Sequence, residues 1–296
     1  MTRAPAPVWA MVVVGLIALG SSPLLIRLAG DVPALALAAW RTSIVAVVLA
    51  PFALGRSRAE IGALARRDLA LVATAGVLLG FHFMGWIVSV QLTSVASAAV
   101  LVTTTPVFIV VLGAVFLSDR PSRRTASAIG VSVVGAVLIA LGQESEAGVY
   151  PNPALGNALA LGASLVMSVY LLIGRSVRQR VGFITYFWTL NVVAAVTCLV
   201  GCWAAGVSLA LPLPVALLAA AMGLGPGLLG HGSFAGALRY LPAALLGLLS
   251  LAEPILSSIG ALLWFDEVPS PLAVIGMVAV LAAIASVVSA RAENQE

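Results

Sequence analysis

Ten apolar runs of about twenty residues, parted by short polar gaps, take up nearly all of this 296-residue chain. A helix of about 20 apolar residues crosses a bilayer, and inside lipid only helices and closed barrels satisfy their own backbone groups. The runs lie at roughly 8–29, 33–54, 69–90, 94–117, 125–142, 154–174, 182–204, 213–238, 242–265 and 271–290. The sizeable polar gaps are 55–68, 118–124, 143–153 and 175–181. The residues are 61% hydrophobic and 9% charged, against about 25% charged in a soluble domain, which leaves no length for a separate soluble unit. An all-α integral membrane protein is therefore expected. The net charge of +4 comes from arginine alone, and nothing in its spread suggests a nucleic-acid partner. Cys198 and Cys202, one helical turn apart, read as packing residues rather than a disulfide. Trp9 to Leu19 reads as part of an uncleaved first helix, not a signal peptide.

The arginines orient the chain. Arg56, Arg58, Arg66 and Arg67 fall in the second gap, Arg120, Arg123 and Arg124 in the fourth, Arg175, Arg178 and Arg180 in the sixth, and Arg239 in the eighth. Arg3 and Arg291 flank the ends. The positive-inside rule puts these segments, with both termini, in the cytoplasm of a multi-pass cytoplasmic-membrane protein.

The chain also repeats itself. A shift of 148 residues, half its length, places Pro106 on Pro254, Phe116 on Trp264, Asp119 on Glu267, Pro121 on Pro269, Trp40 on Trp188 and Arg27 on Arg175. In the third span the register slips: Leu78-Leu79-Gly80 matches Leu228-Leu229-Gly230 at a shift of 150. Halves of five spans each, 1–148 and 149–296, must be inverted relative to one another, because five is odd. Inverted repeats with interrupted helices are transporter architecture, with the substrate site between the repeats near the midplane. Ten helices in two inverted five-helix repeats around a central cavity are the expected fold.

The motifs resemble those of the drug/metabolite transporter superfamily, in its ten-helix EamA-type branch. Carrying the resemblance are Ala237-Leu238-Arg239-Tyr240-Leu241-Pro242-Ala243, then Leu251-Ala252-Glu253-Pro254, then Phe265-Asp266-Glu267, with a weaker echo in Leu92-Thr93-Ser94-Val95-Ala96, Pro106 and Asp119-Arg120-Pro121. The chain looks most like the YddG-like amino-acid exporter branch. It departs from the family pattern at Thr105, where a glutamate is often found, and at Asp266, where a glycine is usual. The resemblance implies export of small metabolites, amino acids foremost and aromatic ones among them. Nucleobases, sugars or drugs are the rival cargoes, and a channel or a non-transporting adaptor the rival class.

Polar residues within the spans are few and fall in stripes. His82, Trp86 and Ser89 share one helix face, as do Ser250, Glu253 and Ser257. Arg41 lies next to Trp40, Trp188 is followed by Asn191, span six offers Ser164, Ser168 and Tyr170, and span eight carries His231. A cavity for an amphipathic small molecule needs such aromatic faces and a few fixed polar groups. Arg41, His82, Trp86, Tyr170, Trp188, Asn191, His231 and Glu253 are the substrate-binding candidates, and Pro106, Pro226 and Pro254 the helix-break or gating candidates. Glu253 could equally serve structure, as a partner for Arg41 or for backbone freed beside Pro254, and the other polar residues could be satisfied core groups. Gly225-Pro226-Gly227-Leu228-Leu229-Gly230 fits a dinucleotide pattern but lacks its preceding strand, so it reads as helix packing with a bend. No zinc-protease, nucleophile-elbow or paired-aspartate motif is present, so no catalysis, cofactor or metal is expected. A monomer is plausible.

Overall fold

The computed structural model describes residues 5–93, 95–116, 122–141, 151–265 and 270–293. Among these residues the structure is helical and contains no strand. The helices are α1 (Ala6–Gly20), α2 (Ser22–Ala29), α3 (Ala34–Gly55), α4 (Arg58–Gly62), α5 (Arg66–Leu92), α6 (Val95–Val102), α7 (Thr105–Phe116) and α8 (Arg123–Leu141). They continue with α9 (Pro153–Val177), α10 (Phe183–Ala204), α11 (Leu213–Met222), a π-helical segment (Gly223–His231), α12 (Gly232–Ala237), α13 (Ala243–Ser250), α14 (Glu253–Phe265) and α15 (Pro271–Glu293). Among the described residues seven helical stretches are long and apolar enough to cross a membrane, and three shorter apolar ones cover Ala98–Gly113, Ala126–Gly135 and Val274–Ala283. This is a multi-pass membrane protein. Of the expected repeat markers, Asp119, Pro121, Glu267 and Pro269 lie outside the described residues, as do Arg3, Arg120, Glu144 and Glu146.

Several expected spans are broken helices, and the breaks have local causes. The fourth run divides into α6 and α7 around Thr103 and Thr104, just ahead of Pro106. The ninth divides into α13 and α14 around Leu251 and Ala252, just ahead of Pro254. A proline lacks the N–H that would continue the ladder, and its ring disfavours the preceding turn. The two breaks are superposable in register. Thr104 N–H donates to the Leu101 carbonyl at 3.3 Å, and 148 residues later Ala252 N–H donates to the Leu249 carbonyl at 3.0 Å. The first run also bends, at Ser21 between α1 and α2, where the sequence alone gave one helix.

Helix pairing follows the repeat. α3 packs on α10 and α8 on α15; each pair joins a helix to its counterpart in the other half. The remaining contacts come in exchanged couples. α5 packs on α9 as the π-helical segment packs on α1, α5 on α10 as the π-helical segment on α3, α7 on α9 as α14 on α1, and α7 on α13 as α14 on α6.

Small residues set these approaches, as expected where lipid removes the hydrophobic drive between helices. A Cβ on Gly76 would meet Val193 Cβ at 2.7 Å and the Leu190 carbonyl at 2.8 Å, and one on Gly80 would meet Thr197 Cβ at 2.8 Å, all on α10. A Cβ on Gly223 would meet Ile44 Cβ at 2.9 Å, and one on Gly227 would meet Val45 Cγ2 at 2.9 Å, both on α3. The same glycine spacing thus seats equivalent helices of the two halves. From Gly223 to His231 the chain winds as a π-helix, and each i→i+5 turn takes up one residue more than an α-turn. That is the physical basis of the register slip in the third span. It also accommodates Pro226 inside the helix.

The connections that carry Arg56 to Arg67, Arg175 to Arg180 and Arg239 meet at one end of the bundle. Arg175 donates to the Leu238 and Arg239 carbonyls, and Arg178 donates to those of Ala235 (3.0 Å) and Val181. Both close the C-terminal end of α12, where carbonyls lack helical partners. Burial, with the Arg239 charge adding to it, pushes the Arg178 pKa down. Glu60, on α4, accepts from Gly182 N–H at 2.6 Å and from the Thr185 hydroxyl at the start of α10. Arg180 pairs with Asp68 at 2.7 Å. At the opposite end Gln91 donates to the Val32 carbonyl at 2.8 Å and Asn152 N–H to the Leu92 carbonyl at 3.2 Å.

Candidate functional site

A buried arginine needs partners, and Arg41 has few. It lies on α3 and is 1% exposed. Its guanidinium sits 4.2 Å from the centroid of the Phe83 ring, a cation–π contact, and Nη1 donates to Ser22 Oγ at 3.1 Å. Its Nε has no hydrogen-bond partner. Among the described residues no carboxylate comes within ion-pair distance of it. Around the same phenylalanine stand two histidines. His82, on α5, and His231, at the end of the π-helical segment, have ring centroids 5.9 Å apart, and Phe83 meets His231 edge-on at 5.0 Å. They occupy equivalent helices of the two halves, at a shift of 149 residues. His82 Nδ1 lies 2.9 Å from the Ala163 carbonyl, which can only accept, so Nδ1 carries the hydrogen. His231 Nδ1 has no partner.

These groups border one cavity between the halves. Arg41, Ser22, His82, His231, Ser250 and Glu253 supply polar lining, together with Thr103 and Thr105 of the first break. Leu19, Trp86, Val102, Met167, Leu171 and Phe234 supply the apolar remainder. Its volume of about 40 Å³ is far below the roughly 300–1,000 Å³ of a small-molecule site. A space of that size holds no metabolite-sized molecule in this structure.

The two breaks meet the cavity with opposite chemistry. At the first, every threonine hydroxyl is engaged. Thr103 Oγ1 donates to Ala99 O at 2.8 Å, Thr104 Oγ1 to Leu101 O at 2.7 Å and Thr105 Oγ1 to Val102 O at 2.9 Å. Ser164 Oγ adds contacts at 3.1 Å to Thr104 and 3.2 Å to Thr105, and Ser168 donates to the Thr105 carbonyl at 3.0 Å. At the second, Ser250 donates to Gly247 O at 2.7 Å and Ser258 to Pro254 O at 2.8 Å. The Glu253 carboxyl, by contrast, has no hydrogen-bond or ion-pair partner among the described residues. The position that answers to Ser164 in the first half is Leu16, on the α1 helix that packs against α14, and leucine offers no donor.

Five of the eight substrate-binding candidates read from the sequence therefore line the cavity: Arg41, His82, Trp86, His231 and Glu253. Three do not. Tyr170 is buried without exposure, Trp188 Nε1 donates to the Ala46 carbonyl at 3.1 Å, and Asn191 Nδ2 donates to the Phe187 carbonyl of its own helix at 2.8 Å. Ser22 and Phe83 escaped the sequence reading. Ser22 is a polar residue in an apolar run, with Pro23 beside it marking the α1–α2 bend, whereas Phe83 carries no polar signal and only adjoins His82. Pro106 and Pro254 open α7 and α14, and Pro226 lies within the π-helical segment. Cys198 and Cys202 are free and buried.

The halved architecture has a counterpart in sequence families. The model of the EamA-like transporter family matches twice, over residues 7–141 and 154–289. The chain belongs to the EamA-like transporter family. A probable terminal-alkyne amino-acid exporter of Streptantibioticus cattleyicolor is 30% identical to it over 196 residues, 61% of this chain and 59% of that protein. The match thus spans about six tenths of that relative's length. One solved crystal structure aligns over 99% of this EamA-like chain and 100% of its own, with a TM-score of 0.75 at 20% identity. At that identity the likeness is one of fold alone.

Proposed function

We propose that the protein is a secondary transporter that exports small metabolites, amino acids foremost, across the cytoplasmic membrane by alternating access. The observation that carries the reading is the cavity between the halves, lined by Arg41, whose Nε is unsatisfied, and by Glu253, neither of them in an ion pair among the described residues. An unpaired charge buried at membrane depth is costly, and structure alone gives no return for it. Family membership and the amino-acid exporter among its relatives support the same reading.

In this account the fold is ten membrane helices in two inverted five-helix repeats, 1–148 and 149–296. The exchanged helix contacts and the breaks at one 148-residue offset support it. Both termini lie in the cytoplasm, on the side of the arginine-bearing connections. Arg41, His82, Trp86, His231 and Glu253 contact cargo in the cavity, and Tyr170, Trp188 and Asn191 join them only if the helices rearrange on opening. Pro106, Pro226 and Pro254 mark the places where helices bend as access alternates. Purified protein in liposomes preloaded with an amino acid tests the reading: saturable uptake of the labelled amino acid, accelerated by the preload, is expected of a carrier. Flux that is unsaturable and indifferent to the preload would mean a channel, and none for any amino acid would refute the cargo.

A further inference from the structure

The cavity holds one cationic and one anionic side chain, both short of partners, and they do not pair with each other. Arg41 is anchored from one side by Phe83 and Ser22, with its Nε unsatisfied. Glu253 stands at the first turn of α14, where the helix dipole favours an acid, yet its carboxyl accepts no hydrogen bond among the described residues. A cargo carrying a single charge would satisfy one of them and leave the other stranded. A cargo carrying both, a short distance apart, would satisfy the two together and leave the net charge of the cavity unchanged. Half of the remaining lining is apolar, from Leu19, Trp86, Val102, Met167, Leu171 and Phe234, and half consists of hydroxyl side chains and the two histidines. It suits an uncharged side chain and has no further ion for a third charge.

We infer that Arg41 and Glu253 form a two-ended clamp for a zwitterion, Arg41 taking the α-carboxylate and Glu253 the α-ammonium of an amino acid with an uncharged side chain. The inference rests on the transport reading above and deepens it, since it says which cargo atoms are recognised. Guanidinium and carboxylate match in bidentate geometry, and charge-assisted bonds are the stronger kind. Ser22 fixes Arg41 from α2, and Glu253 hangs from the break in front of Pro254. The clamp therefore draws one jaw from each half. Closing on a zwitterion pulls the halves together, which couples cargo binding to the change of access.

The test is competition against labelled L-leucine counterflow in proteoliposomes of the full-length protein. L-leucine should compete fully. N-acetyl-L-leucine and 2-hydroxy-4-methylpentanoate, which lack the ammonium, and L-leucinamide and isopentylamine, which lack the carboxylate, should each compete about tenfold or more weakly, the value of one lost charge-assisted bond. The pattern should then change with the jaw removed. Glu253→Gln should lose its discrimination against 2-hydroxy-4-methylpentanoate, and Arg41→Gln its discrimination against L-leucinamide, while Arg41→Lys keeps part of the wild-type order. A purely structural role would lower all fluxes alike without reordering the competitors. Should the variants fold poorly, the wild-type competition series alone decides. Equal competition by the one-ended analogues alongside robust leucine counterflow overturns the clamp and leaves the carrier reading intact. Absence of counterflow for leucine and every other amino acid overturns both.

Discussion

The breaks at Thr103–Pro106 and Leu251–Pro254 share a backbone and part company at one matched position, Thr105 in the first and Glu253 in the second. Both interrupt a helix at the same place in the repeat, with a matching hydrogen bond 148 residues apart. The first is closed on itself: three threonine hydroxyls cap nearby carbonyls, and Ser164 and Ser168 finish the job from α9. The second leaves a carboxylate facing the cavity, and the helix opposite offers Leu16 where the other half offers Ser164. Duplication supplies the bend twice, and specificity then needs a charge at only one of the two copies. A self-satisfied break can move without exposing unpaired groups, whereas in the proposed clamp the unsatisfied one is completed by cargo.

That contrast can be broken by experiment. The largest effect is expected from Glu253→Gln, which should slow amino-acid counterflow by about tenfold to a hundredfold while the melting temperature in detergent holds or rises, because a buried unpaired charge has been removed. A wild-type rate in this variant would make the two breaks equivalent. Next come the glycines that seat the equivalent helices. Gly76→Ala and Gly223→Ala should each destabilise by about 1–3 kcal/mol through overpacking, read as a fall in melting temperature of similar size in both. A loss confined to one of them would deny that the two interfaces are counterparts. Thr105→Val removes a hydroxyl that donates to Val102 O, and should cost about 1 kcal/mol of stability with transport changed less than threefold, a difference of about 0.7 kcal/mol. A transport loss as deep as that of Glu253→Gln would place cargo at the first break as well. Smallest of all, Asp68→Asn removes a surface ion pair with Arg180, and should shift stability by about 1 kcal/mol or less, least in high salt.

Much of the fold was legible because proline and arginine act locally. Pro106 and Pro254 cannot continue a helix, so their breaks follow from sequence, and the shared offset of 148 carries through to the hydrogen bonds. The slip in the third span was visible as a mismatch of two residues, but only the structure shows that π-helical winding absorbs it. The bend at Ser21 was missed although Pro23 stands beside it, since a proline in the first turn of a helix is unexceptional. The site was legible in part. Helical spacing tells which residues share a face, and so brought His82 and Trp86 together. It does not tell what that face meets, and Tyr170, Trp188 and Asn191 face protein rather than cavity. Nor could it show that Arg41 and Glu253, the two charges on which a structural ion pair was an open reading, stay apart. Pairing across the bundle is a property of tertiary packing, invisible to one helix at a time.

The most direct measurement of the account is a structure of the protein with L-leucine bound in a lipid nanodisc. Density in the enlarged cavity, with the carboxylate on Arg41 and the ammonium on Glu253, is the predicted result. Leucine bound elsewhere, or an Arg41–Glu253 ion pair closing an empty cavity at saturating leucine, would contradict it.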